Sequence, residues 1–193
     1  MIRSLTSSHD HLLIASAISL QYFACLRSSE FCTDLAQSVI PVRADVSFYH
    51  SSSPVMIFTS HTSKTAAHGF SVHVGCSGSP VCAVCIMYHY LSSHPKAPSD
   101  PLFQFPSGQH LTYHLYNKII KHLIQLIGLD PSQYSSHSLR AGAATQAARA
   151  GLAPEAIKRL GRWRSHAYML YMRSPPESYA SLAPALAPRA HSH

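Results

Sequence analysis

HSLRAGAATQAARAGLAPEAIKRLGRWRSHAYMLYMRSP, residues 137–175, is the stretch whose reading decides the fold. Ser135 or Ser136 supplies the hydroxyl that caps a helix start, and small residues continue to Ala150. Gly151 stands where a left-handed C-terminal cap is wanted. Pro154 suits the first position of a short helix ending at Leu160, and Gly161 stops it. A last helix is expected over Ser165–Met172. Upstream, Thr112 caps an amphipathic helix in which Leu115, Ile119, Leu123 and Ile127 recur every four residues, and Gly128 closes it. Pro80 predicts the start of a helix over Val81–Leu91, and Ser92–Pro101 reads as a loop. Three short apolar-rich runs, Val42–Tyr49, Val55–Thr59 and Phe70–Val74, predict a small antiparallel sheet. Residues 1–10 read as a loop, and His11–Cys25 as a core helix running into Leu26–Phe31. That run is too short to cross a bilayer and contains Ser16, Ser19 and Gln21. The expected fold class is α+β, mainly α: a helical domain with a small antiparallel β-sheet on one side.

Composition narrows the function. The 193 residues suit one domain, and 46% hydrophobic content is enough to build its core. Only 12% of residues are charged, which excludes a highly charged disordered chain. Fifteen Lys and Arg against eight Asp and Glu leave a formal charge of +7, so an anionic partner is expected, nucleic acid first. Most of the histidines are scattered singly. Five cysteines, an odd number, exclude a secreted disulfide scaffold. Cys82 and Cys85 form one CxxC pair, and Cys76 with His89 would complete a four-ligand set. With no second CxxC, the pair is read as buried thiols on the apolar run Val81–Tyr90, and no metal is expected. Arg3 is not followed by a compact apolar run ending in small residues, so no signal peptide is read.

Lys158, Arg159, Arg162, Arg164 and Arg173 fall within sixteen residues that contain no acid. This is either a solvated basic face or a phosphate-binding surface. His137 and Arg140 lie three apart at a helix start, on one face and near the positive end of the helix dipole. Trp163 is the only Trp, and Tyr168 and Tyr171 follow it.

In order, the chain therefore carries Leu26-Arg27-x-Ser29-Glu30, a Lys in a β-hairpin, His137-Ser138-Leu139-Arg140, Leu160-Gly161-Arg162-Trp163, and Tyr171. This series resembles the catalytic domain of the tyrosine recombinases, the phage integrase family. The segments FACLRSSEF and TSKTAAHGFSVHVG, with the stretch quoted above, are most similar to recombinases of DIRS and Ngaro retrotransposons and Cryptons. The resemblance implies catalytic roles for Arg27, Lys64, His137, Arg140, Trp163 and Tyr171, a supporting role for Glu30, and DNA contacts from Lys158, Arg159, Arg162, Arg164 and Arg173. Tyr168, one turn earlier, is the runner-up nucleophile. The implied reaction is DNA strand cleavage and rejoining through a 3′-phosphotyrosyl link, for recombination or integration of a mobile element. It implies no metal and no nucleotide cofactor. The partner would be double-stranded DNA, with self-association during synapsis and neither a membrane nor a small-molecule substrate. The setting would be the nucleus of a eukaryote or the cytoplasm otherwise, not the secreted space.

The family usually places a second, helical DNA-binding domain ahead of the catalytic one, and here about ten residues precede the first helix. The expectation is half of a two-domain clamp: a linker remnant over 1–11, a catalytic domain over 12–175, and a weakly ordered tail over 176–193. Three rivals remain open at this point: a catalytically silent DNA-binding remnant, a type IB topoisomerase, and a zinc-binding interaction module built on the CxxC pair.

Overall fold

Apolar residues on every side of the first helix determine where it must sit. Helix α1 (His9–Phe23) buries Leu12, Leu13, Ile14, Ala15, Ala17 and Leu20 around its whole circumference, so it runs through the interior. Its buried hydroxyls are satisfied within the helix: Ser16 donates to Leu12 O and Ser19 to Ser16 O. The helix starts two residues before the expected His11, with Asp10 in its first turn against the positive dipole end. The structure, a computed structural model, describes residues 9–33, 39–61 and 69–171, Tyr171 by its backbone alone.

Strands β1 (Val46–Tyr49), β2 (Val55–Ser60) and β3 (Phe70–Gly75) form one antiparallel sheet in that order. Val46 pairs with Phe58, and Ser60 with Phe70. Alternation on β2 buries Met56, Phe58 and Ser60. The first strand is shorter than expected. Arg43–Asp45 is a 3₁₀ turn, because Asp45 accepts the Val42 N–H and the N–H groups of Arg43 and Ala44 donate to Asp100 O and Pro98 O. That backbone is paired with a loop and is unavailable to the sheet.

Helix α2 (Ala83–Ser93) also starts later than expected. Pro80 is spent in a turn closed by the Cys82 N–H on Ser79 O, and Cys82 takes the N-cap position. Thr112 caps α3 (Tyr113–Leu126) by accepting the Leu115 N–H, and Gly128, at φ +79°, closes it. Ser135 caps α4 (Ser136–Arg149), and Pro154 opens α5 (Pro154–Leu160). The expected last helix is a 3₁₀ turn, His166–Tyr171.

Two apolar cores result. The larger joins α1, the sheet, α2 and α3. The smaller holds Cys25, Ala143, Ala144, Ile157, Trp163 and Tyr168. Gln21 links the two regions. Its Nε2 donates to Ser136 O at 2.9 Å and its Oε1 accepts the Tyr116 hydroxyl at 2.7 Å, so one buried amide ties α1 to α3 and to the start of α4. Among the described residues, no helix is long and apolar enough to cross a membrane.

Candidate active site

After α1 the chain reverses through Cys25, whose φ of 49° is left-handed, and delivers Arg27 to a 3₁₀ turn, Ser28–Glu30. Glu30 is 1% exposed. Its Oε2 accepts the Arg27 backbone N–H at 2.8 Å, and its Oε1 accepts Arg27 Nη1 at 3.0 Å. Arg162 Nη2 donates to Oε2 at 3.0 Å. Two guanidinium groups from opposite ends of the chain thus meet one buried carboxylate.

Gly161 and Arg162 form the second corner, and among the described residues Arg162 is the other non-glycine residue with positive φ, at 54°. This corner turns its side chain inward. Arg162 also donates to Ala24 O, Cys25 O and Leu160 O, and its guanidinium lies 4.1 Å from the Phe70 ring centroid. Grouped with the basic stretch in the sequence, Arg162 does not project from it as a DNA contact would. Within that stretch Arg159 and Arg164 are exposed, Lys158 is half-buried, and Arg173 lies outside the described residues.

Arg140 comes in from α4 and is 4% exposed. It donates to Cys25 O and to Gly161 O, and its guanidinium stacks on Trp163 at 4.3 Å. Burial pushes its pKa down to about 10, which still leaves it cationic at neutral pH. Trp163 is fitted closely to the corner: a Cβ added at Gly161 would stand 1.7 Å from its ring. Tyr168 packs beside Trp163 with ring centroids 6.1 Å apart and is 2% exposed. The backbone of Tyr171 ends the same 3₁₀ turn.

The structure thus gathers Arg27, Glu30, Arg140, Arg162 and Trp163. Three guanidinium groups against one carboxylate leave two positive charges in excess among these residues. His137 lies three residues before Arg140 on α4; Arg140 is interior and His137 is exposed. Lys64 lies outside the described residues. The chain on either side of it is fixed at the cluster, since Ser60 Oγ donates to Glu30 O at 2.8 Å and Phe70 sits under Arg162. Gly69 closes that end of the hairpin, where a Cβ would meet Ser60 O at 2.3 Å.

Sequence reasoning missed Cys25, whose carbonyl receives Arg140 and Arg162 and whose thiol burial pushes upward in pKa. Its place directly before Leu26-Arg27 was the available signal. The CxxC pair is also not uniformly buried. Cys82 is interior, but Cys76 is half-buried and Cys85 exposed. His89 is exposed beside Ser93, outside the group that the three sulfurs form.

The sequence profile of the phage integrase family matches residues 2–175. Among curated proteins, no sequence matches the chain. Solved structures of similar fold include the XerH site-specific recombinase bound to a palindromic difH substrate in a post-cleavage complex (TM-score 0.67, 15% identity, covering 94% of this chain and 49% of that one). The Tn1549 transposon integrase in complex with circular intermediate DNA is another (TM-score 0.63, 15% identity, 94% and 60%). XerA recombinase is a third (TM-score 0.59, 16% identity, 95% and 63%). The chain therefore spans between about half and three-fifths of the solved chains it resembles.

Proposed function

The chain belongs to the phage integrase family and has the fold of a tyrosine recombinase catalytic domain, and on that premise we propose that it cleaves and rejoins DNA strands through a 3′-phosphotyrosyl intermediate. The observation that carries the proposal is the excess of two positive charges gathered around Glu30. Partly buried cations without counter-charges are stabilised by an incoming anion, and a phosphodiester undergoing substitution gains negative charge where those cations stand.

In this reading the Tyr171 phenol oxygen attacks the phosphorus and the bond to the 5′-oxygen breaks. A free tyrosine has a pKa near ~10, so the phenol must lose its proton as it attacks. His137 accepts that proton or hydrogen-bonds the phosphate. Arg27 and Arg140 hold the non-bridging oxygens. Trp163 has a donor and no acceptor, so it can hold a phosphate oxygen but cannot act as a base. Lys64 protonates the departing 5′-oxygen. Return of the 5′-hydroxyl reverses the step and reseals the strand. The similarity of the motifs to DIRS, Ngaro and Crypton recombinases supports a mobile element as the setting, with self-association on DNA and, in a eukaryotic host, action in the nucleus. A neighbouring reverse transcriptase gene would be the genomic sign of it.

One observation favours a second reading. Arg140 is interior and bonded to two carbonyls, as expected of a group that only holds the fold of a silent DNA-binding remnant. A nicked DNA substrate that traps the covalent complex separates the two. Wild type should give the adduct, Tyr171→Phe should abolish it while DNA binding stays within about twofold of wild type, and Tyr168→Phe should retain it. An adduct that persists in Tyr171→Phe and vanishes in Tyr168→Phe would move the nucleophile one turn. DNA binding with no adduct in wild type would establish the remnant.

A further inference from the structure

The connection from β3 to α2 brings three sulfurs together away from the guanidinium cluster. Cys76 follows the last residue of β3, Cys82 is the N-cap of α2, and Cys85 lies in its first turn. Cys76 Sγ stands 3.5 Å from Cys82 Sγ and 3.7 Å from Cys85 Sγ, and all three sulfurs lie within 4.8 Å of one another. A disulfide needs sulfurs about 2.05 Å apart. A tetrahedral zinc ion with bonds of about 2.3 Å sets its thiolates about 3.8 Å apart, close to the two separations from Cys76.

A backbone donor and a helix start face the sulfurs. The Ser77 backbone N–H donates to Cys82 Sγ at 3.3 Å, and the start of an eleven-residue helix places partial positive charge at Cys82 and Cys85. The open side faces a cavity of about 330 Å³ whose wall includes Cys76, Cys85, Tyr88 and His50. His50 lines the same cavity but is not among the ligand atoms that lie within 4.8 Å of one another, so the fourth position is left to solvent.

We infer that Cys76, Cys82 and Cys85 form a binding site for one zinc ion, with the fourth coordination position open to solvent on the cavity side. The ion would fasten the end of β3 to the start of α2. Because β3 follows residues 62–68, which contain Lys64, metal occupancy would stiffen the sheet at its far end from the proposed active site. The site itself stands or falls without the recombinase reading.

The test uses the 193-residue chain, reduced and stripped of metal. Titration with Co²⁺ should produce a thiolate-to-cobalt charge-transfer band that one equivalent of Zn²⁺ removes. Exposed Cys85 should be alkylated in the metal-free protein and protected by one equivalent of Zn²⁺, as read by peptide mass spectrometry. Cys85→Ser, judged folded by circular dichroism, should lose both the band and stoichiometric zinc. Three results would each overturn the inference: no band and no protection in wild type, equal zinc binding by Cys85→Ser, or a disulfide among the three cysteines that re-forms in the presence of zinc and excludes it.

Discussion

In the larger core, Leu13, Leu20, Met56, Phe58, Met87 and Tyr116 are all fully buried and touch mainly other apolar side chains. The smaller core sets alanines and one isoleucine under Trp163 and Tyr168, beside a buried guanidinium. The first gains stability from area removed from water, about 25 cal/mol per Å², which is indifferent to direction. The second has little apolar volume and relies on directed contacts: Arg140 to two carbonyls, Arg162 to three carbonyls and a carboxylate, and one indole face. Directed contacts fix side chains to a particular geometry, as a catalytic site needs, but each one lost leaves a polar partner buried and unsatisfied.

The largest effect should come from Trp163→Ala. A cost of about 3–5 kcal/mol is expected for removing the ring, which also uncovers Arg140. Hydrogen exchange should then accelerate over residues 136–170 while the strand amides remain protected. Uniform acceleration would show that the two cores are one cooperative unit and would break the comparison.

Glu30→Gln should cost less, about 2–3 kcal/mol, by weakening charge-assisted bonds to Arg27 and Arg162. It also raises the positive excess from two charges to three. Inorganic phosphate should therefore raise the melting temperature of Glu30→Gln more than that of wild type. An equal rise in both would show that the cluster does not bind anions.

The smallest change in stability, within about 0.5 kcal/mol, is expected for Arg159→Ala on the exposed side of α5. Its signature lies in DNA binding, where the salt slope should flatten by about one unit. An unchanged slope would place Arg159 off the DNA and would show that the outward basic residues do not form the binding face.

Legibility followed local chemistry and not the division between the two cores. Thr112 and Pro154 start helices by local chemistry that does not depend on the rest of the fold, and each was placed correctly, while of the two serines offered for α4 the cap is Ser135. Errors arose where distant chain decides. Val42–Asp45 reads as strand, but a loop some fifty-five residues later claims its N–H groups. Pro80 reads as a helix start, but Cys82 takes the N-cap. At the candidate site, residue types and order were legible, whereas the inward turn of Arg162 was not. That turn depends on a left-handed backbone angle and on the carbonyls of Ala24 and Cys25, neither of which leaves a mark in the local sequence.

The bond from Arg162 Nη2 to Cys25 O joins residues 137 positions apart. Both are held in left-handed backbone, which costs each about 1–2 kcal/mol until something holds it there. Closing a loop of that length costs about 4 kcal/mol more in chain entropy. Neither corner is therefore stable without the other, and they should form together, late, after the local helices. During synthesis, a chain that has not yet released Arg162 from the ribosome holds Arg27 but lacks the lock that completes the cluster. The guanidinium cluster around Glu30 is thus completed only once the chain has been made as far as Arg162.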